Sequence, residues 1–320
     1  MDPMPPVPQP LRVAIVGAGR MAREHARAFA AVPGITVAGI HSRTRPRAEA
    51  LARELGIPHV CDSIKELHGR TSAGLAVVTV PEPAMKAVAL AALAHPWTLL
   101  IEKPPGLAPE ETEEIAAGAR RRGRDVRVGL NRQWIGSTQA AIDGLRAHEG
   151  PRFVKVQDQQ SLAQAAAIGH PPEVVRNWMF ANSIHLVDYF RYLARGDVRH
   201  VDHLQPWKGE RTQVLLARLE FSSGDVGLYE AVWHAPGPWA VTVTVPMRRW
   251  ELRPLEQLTT QALGEPPAVV PATAWDGEFK PGFRLQAEHA AAAARGGASP
   301  LPTIDDALGT MRLVRALYPA

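Results

Sequence analysis

The sequence predicts an α/β protein: a doubly wound parallel sheet, followed by an α+β domain with a mostly antiparallel open sheet. Three observations carry this reading. Residues 11–130 alternate short apolar runs with helical stretches, and a glycine turn joins the first run to the first helix. From Val198 to about Gln261, strand-like segments are separated by turn residues in place of helices. The first domain is read as residues 11–131 and the second as 132–320, with the last helix free to pack back on the first domain. Residues 1–10, dense in proline, read as a disordered or extended tail.

Leu11–Val16 is an apolar strand, and Gly17-Ala18-Gly19-Arg20-Met21-Ala22 follows it at once. Gly17 allows the tight turn, Gly19 has no Cβ to block a pyrophosphate, and Ala22 lets the helix lie close to the sheet. The helix start at Arg20 and Met21 offers free N–H groups and positive dipole charge to phosphates. The arrangement points to a nicotinamide or flavin dinucleotide. Residues 36–40 form the second strand, and Arg47–Leu55 a helix stopped by Gly56 and Pro58. The continuous apolar run Ala73–Val80 ends at Pro81, as suits a central parallel strand. Helix Met85–Ala94, strand Thr98–Ile101, helix Pro109–Arg122 and strand Val126–Leu130 complete the alternation.

The pattern changes after Asn131. Arg152–Gln159 alternates as a half-buried strand, and residues 173–195 form a helical region holding His185. Strands follow at Val198–Trp207, Thr212–Phe221, Val226–His234, Trp239–Pro246 and Arg249–Leu255, punctuated by Ser222-Ser223-Gly224-Asp225 and Pro236-Gly237-Pro238. Helices Leu285–Arg295 and Ile304–Leu317 close the chain.

Composition narrows the function classes. With 46% hydrophobic and 21% charged residues, the chain reads as a soluble globular protein. No apolar run approaches the ~20 residues of a membrane span, and the first ten residues lack the apolar core of a signal peptide. The single cysteine, Cys61, excludes an intrachain disulfide and a cysteine-based zinc cluster; it fits a reducing cytoplasm, and no metal is expected. The net charge of +4 is no argument for nucleic acid. Its densest basic run, Arg120-Arg121-Arg122-Gly123-Arg124, ends a helix that begins with glutamates, as the macrodipole favours.

Two further features stand out. Glu102-Lys103-Pro104 follows the buried strand Thr98–Ile101, which puts Lys103 at a carboxyl end, where open α/β sheets bind ligands. Asn182, His185 and Asp188 are spaced three apart, on one helical face. With the glycine turn, with Gly129-Leu130-Asn131-Arg132 and with Pro302-Thr303-Ile304-Asp305-Asp306-Ala307, these segments resemble the glucose–fructose oxidoreductase / inositol dehydrogenase (Gfo/Idh/MocA) family from residue 11 to 320. The resemblance implies a Rossmann domain, an α+β domain whose open sheet makes oligomer contacts, and hydride transfer between NAD(P) and a carbohydrate-like alcohol or ketone. It implies Lys103 and His185 as catalytic groups, with Asn182 beside them. A histidine can take the hydroxyl proton in oxidation and return it in reduction, and Lys103 would stabilise alkoxide charge. Many family members carry an aspartate one turn before the histidine; here that turn is Phe180-Ala181-Asn182-Ser183, with no carboxylate. Arg176, Trp178 and Asp188 are read as substrate contacts, and the Gln157-Asp158-Gln159-Gln160 run as a source of hydroxyl partners.

The nucleotide contacts expected are Gly17, Gly19, Arg20, Met21, Ala22, Ser42, Arg43, Pro81, Glu102 and Lys103. The second strand ends Gly39-Ile40-His41-Ser42-Arg43, without the carboxylate that reads a ribose 2′-OH. Ser42 and Arg43 favour a 2′-phosphate, so NADP(H) is expected over NAD(H). The leading function is a dehydrogenase or reductase acting on a CH–OH group of a sugar, cyclitol or sugar nucleotide. Redox-neutral glycoside cleavage through a retained nucleotide, and a non-catalytic nucleotide-binding sensor or scaffold, are the alternatives. Trp207, Trp233, Trp239 and Trp250, in or beside the second-domain strands, suggest a homodimer or homotetramer formed through that sheet.

Overall fold

The computed structural model describes residues 10–319, so the tail read over residues 1–10 lies, but for Pro10, outside the described residues. The chain divides into two compact units. One comprises Met1–Glu102, Glu114–Gly129 and Phe283–Ile304; the other comprises Lys103–Glu113, Leu130–Gly282 and Asp305–Ala320. No helix among the described residues is long and apolar enough to cross a membrane.

The first unit holds six parallel strands: β1 (Leu11–Val16), β2 (Ile35–His41), β3 (His59–Cys61), β4 (Leu75–Val78), β5 (Thr98–Ile101) and β6 (Val126–Val128). Their order is β3-β2-β1-β4-β5-β6, so the direction of winding reverses between β1 and β4. That reversal is the topological switch point, and the glycine turn leaves β1 there. Every residue of β4 is buried, which explains its unbroken apolar sequence. Helix Ile64–Thr71 was not legible from hydrophobic periodicity, yet it carries a capping signal. The Ser63 hydroxyl accepts the Glu66 backbone N–H at 3.0 Å.

The second unit is built on eight strands: β7 (Phe153–Gln160), β8 (Val198–Gln205), β9 (Val214–Phe221), β10 (Val226–Trp233), β11 (Ala240–Val245), β12 (Arg248–Leu252), β13 (Leu258–Ala262) and β14 (Ala268–Val270). The order is β14-β13-β12-β11-β7-β10-β9-β8. Only β7 and β10 pair in parallel; every other pairing is antiparallel. The pleat turns alternate side chains of β7 inward, so Val154, Val156, Asp158 and Gln160 are buried. This corrects the reading of the whole Gln157–Gln160 run as hydroxyl partners: Asp158 and Gln160 belong to the interior.

The tryptophan argument for an interface also needs correction. Trp233 and Trp250 are buried within the unit. Trp207 packs on Trp233 at 4.8 Å between ring centroids and on Tyr318 at 5.2 Å. The rings serve the unit's own core, because one sheet face backed by helices needs large side chains to fill it.

The expected helical region is broken into pieces. Helix Pro172–Arg176 is followed by a π turn, Met179–Ser183, and then by helical segments Ile184–Val187 and Tyr189–Leu193. A π turn adds a residue to the helical repeat and often marks a functional site.

Candidate active site

The nucleotide cradle belongs to the first unit and is made almost entirely of backbone. Gly17 has φ +117°, and a Cβ there would meet Thr79 Oγ1 at 2.5 Å and Thr79 O at 2.7 Å. Glycine is therefore required for two separate reasons, conformation and space. A Cβ at Gly19 would touch no protein atom within 4 Å. Nothing in the fold needs glycine there, but a phosphate approaching the backbone would. Helix Arg20–Ala30 has no acidic side chain in its first turn and no side-chain cap on Gly19, which leaves its N–H groups to an anion. Arg20 is exposed and Met21 half-buried, while Ala22 is fully buried against the sheet. Pro81 is exposed two residues beyond Thr79. These features fit a dinucleotide.

At the end of β2, Ser42 Oγ accepts the Thr44 N–H at 3.2 Å. Arg45 is committed to Glu49 and Asp62, whereas Arg43 is exposed and has no ion-pair partner among the described residues. Glu102 is less accessible than the sequence suggested. It is buried, and its Oε1 lies 2.8 Å from Nε2 of the fully buried His25, a residue the sequence reading passed over. Phe283 packs on the His25 ring at 4.5 Å.

The candidate catalytic residues belong to the second unit. Lys103 Nζ donates to the carbonyl of Ala181 at 2.8 Å, within the turn that precedes His185. His185 is buried, and its Nδ1 has no hydrogen-bond partner, which leaves Nε2 as the nitrogen able to exchange a proton. Burial pushes this imidazole well below the ordinary histidine range; the charges of Lys103, Arg132 and Lys280 push the same way. His185 is thus held neutral, as a base must be. Its ring lies 6.2 Å from that of Trp239, and the Arg132 guanidinium sits over the Trp239 ring at 5.5 Å. Arg132 and Trp239, with Arg253 and Glu256, line a cleft of about 550 Å³. Arg132 Nη1 also donates to Glu256 at 3.0 Å.

The remaining expected residues separate. Asn182 Nδ2 donates to Gln160 Oε1 at 2.8 Å, and Trp178 Nε1 donates to the same oxygen at 2.7 Å. Trp178 is buried, so it supports the site from beneath. Arg176 is exposed, and no hydrogen bond joins it to the cluster. Asp188 is 2% exposed, with Oδ1 accepting from Arg191 at 2.8 Å and from Thr310 at 2.8 Å, and Oδ2 from Arg191 at 3.0 Å. That corrects the substrate role read for Asp188: its oxygens are spent on anchoring the helix. No group of three His, Cys, Asp or Glu side chains able to hold a metal occurs among the described residues.

Comparison with known proteins agrees with the fold. Residues 11–130 match the model of an oxidoreductase family with an NAD-binding Rossmann fold. The trans-1,2-dihydrobenzene-1,2-diol dehydrogenase of Mus musculus is 31% identical over 115 residues, 35% of this chain and 34% of that one. The chain thus matches about a third of that relative's length. The scyllo-inositol 2-dehydrogenase (NAD(+)) of Bacillus subtilis is 23% identical over 93% of this chain and 90% of that one. Among solved structures, a UDP-N-acetylglucosamine 3-dehydrogenase from Acidithiobacillus ferrooxidans superposes with a TM-score of 0.76 at 18% identity, covering 96% of both chains. At that identity the likeness is one of fold.

Proposed function

We propose, from the match of residues 11–130 to the Gfo/Idh/MocA oxidoreductase model, that the chain interconverts a secondary alcohol and a ketone on a sugar, cyclitol or sugar nucleotide, using NADP(H). The observation that carries this reading is that the Ala181 carbonyl, which holds Lys103 Nζ at 2.8 Å, lies four residues before the buried His185. In oxidation, His185 Nε2 takes the proton of the reacting hydroxyl and Lys103 stabilises the alkoxide oxygen as it forms; in reduction, the same proton returns. The Trp239 ring offers an apolar face against which a sugar or cyclitol ring can lie. The nicotinamide, when bound, supplies the two-electron half of the reaction. Gly17, Gly19 and the first turn of helix Arg20–Ala30 would hold its pyrophosphate, and Arg43 its 2′-phosphate.

Support for NADP(H) rests on Arg43, which has no ion-pair partner while its neighbour Arg45 is committed. The Bacillus relative carries NAD(+) in its name, so both nucleotides enter the test. Purified protein is assayed for nicotinamide reduction with each nucleotide against scyllo-inositol, myo-inositol, D-glucose, methyl glucosides and UDP-sugars. Reduction of NADP⁺ by at least one polyol is expected. Failure of every compound with both nucleotides would overturn the reading; a nucleotide that copurifies and never exchanges would move it to redox-neutral glycoside cleavage. Self-association through the second unit's sheet is retained as a proposal. It rests on exposed Leu204 and Val214, on the neighbouring strands β8 and β9 at one edge of the sheet, and a monomeric mass at micromolar concentration would remove it.

A further inference from the structure

Beneath the candidate catalytic segment runs a buried chain of polar groups whose donor and acceptor directions are fixed. Trp178 Nε1 can only donate, and it meets one end of the Gln160 amide at 2.7 Å, so that end is the oxygen. The other end, Nε2, donates to Asp158 Oδ1 at 2.6 Å, in a side chain that is 1% exposed. Tyr229 donates to Asp158 Oδ2 at 2.7 Å, and Tyr318 follows it at 2.8 Å. Gln160 therefore has no freedom to flip. Asn182 meets the same Gln160 oxygen at 2.8 Å and must present its NH₂ group to it. The Asn182 amide oxygen is then committed to the opposite direction. No hydrogen bond from the described residues ends on that oxygen, and Asn182 is only half-buried. Asn182 follows the Ala181 carbonyl that holds Lys103 and precedes His185 by one turn.

We propose that Asn182 determines substrate specificity: its amide oxygen, aimed by the Gln160–Asp158 pair, accepts a hydrogen bond from a donor on the carbohydrate. The donor is a hydroxyl, amine or amide N–H next to the reacting carbon. A carboxylate, phosphate, ether or ketone at that position meets the lone pairs of the amide oxygen and is rejected. Gln160 and Asp158 are positioning residues, acting through Asn182. This inference rests on the carbohydrate reading above and adds which chemical groups the site admits.

The test compares D-glucose, methyl β-D-glucoside and scyllo-inositol with their monodeoxyfluoro analogues, as kcat/KM for oxidation and as binding to the nucleotide-loaded enzyme by ¹⁹F and proton NMR. Fluorine is close to a hydroxyl in size and can accept but not donate. At one ring position besides the reacting carbon, fluorine for hydroxyl should cost about tenfold or more, because a polar group of the site is left unpaired. Gln160→Met frees the Asn182 amide to rotate, and the hydroxyl-to-fluorine ratio should fall to within about threefold. Trp178→Phe leaves Gln160 held by Asp158 and should keep the ratio. A merely structural role would change stability and turnover but leave that ratio alone. If the hydroxylated probes are oxidised and no fluorinated analogue is discriminated in the wild-type enzyme, the proposal is overturned whether or not Gln160→Met folds. If none of the probes is bound or oxidised, the carbohydrate reading fails first and takes this proposal with it.

Discussion

The proposed nucleotide cradle and the proposed catalytic cluster are constructed by opposite means. In the first unit, the turn after β1 presents backbone N–H groups, and its essential side chains are absences: hydrogen at Gly17 and at Gly19. In the second, Lys103, Asn182 and His185 are held by a carbonyl, by a buried amide–carboxylate pair and by burial itself. A backbone site tolerates most side-chain changes around it and fails only where a Cβ intrudes. A side-chain site depends on every partner in its chain of hydrogen bonds, because each buried polar group left unpaired costs about 1–3 kcal/mol.

The sharpest test of this contrast is at the proposed catalytic pair, Lys103 and His185. His185→Ala and Lys103→Ala should each lower turnover by ~10²-fold or more while NADPH affinity, followed by fluorescence titration, stays nearly constant. Near-normal turnover in His185→Ala would break the assignment of the proton shuttle. The two glycines come next and should part company. Gly17→Ala forces a side chain into a positive φ and against Thr79, so thermal unfolding should show a loss of about 1–3 kcal/mol. Gly19→Ala should unfold like the wild type yet bind the dinucleotide about tenfold or more weakly, a loss of ~1.4 kcal/mol or more. An unfolding midpoint lowered equally in both would deny the second glycine its ligand-facing role. A similar tenfold loss of NADPH affinity is expected for Arg43→Ala, with NADH unaffected. Unchanged preference in that variant would point to NAD(H).

The smallest expected effect is in the pH profile. An ordinary histidine base loses activity as pH falls through about 6.5. His185 is depressed well below that value, chiefly by burial, so it stays neutral there. Oxidation under kcat/KM conditions should therefore hold its rate from pH 8 to about 6.5 and decline only at lower pH. Stability follows the same sign: the unfolded histidine binds a proton below about pH 6.5 while the folded one does not, so stability is lost as pH falls below that value. An inflection in the rate near pH 6.5 assigned to His185 would contradict its burial.

What could be read in the sequence follows the same division. The β1 turn is local: its strand, glycines and helix are contiguous, and periodicity with turn chemistry reveals them. Lys103 and His185 were legible only through family resemblance, since nothing in one sequence brings residues 82 positions apart together. The Gln160–Asp158–Tyr229 chain was not legible at all. Asp158 and Tyr229 are 71 residues apart and meet through the parallel pairing of β7 with β10, a register the sequence does not display. The pleat of β7 was readable as alternation, and it would have placed Asp158 and Gln160 with Val154 and Val156 had the strand been extended by one residue to Gln160. The tryptophans misled for a related reason: aromatic content indicates burial but not whether the covering surface is the unit's own or another's.

The π turn at Met179–Ser183 sets the rotational phase of everything after it. A regular α-helix advances about 100° per residue, so deleting a single residue here would swing the following segment through roughly that angle about its axis. His185 would keep its neighbours in sequence and lose its bearing, facing a different quadrant from the one now shared with Asn182. Drift in this segment by insertion or deletion is thereby barred, while substitution stays open wherever the pitch survives.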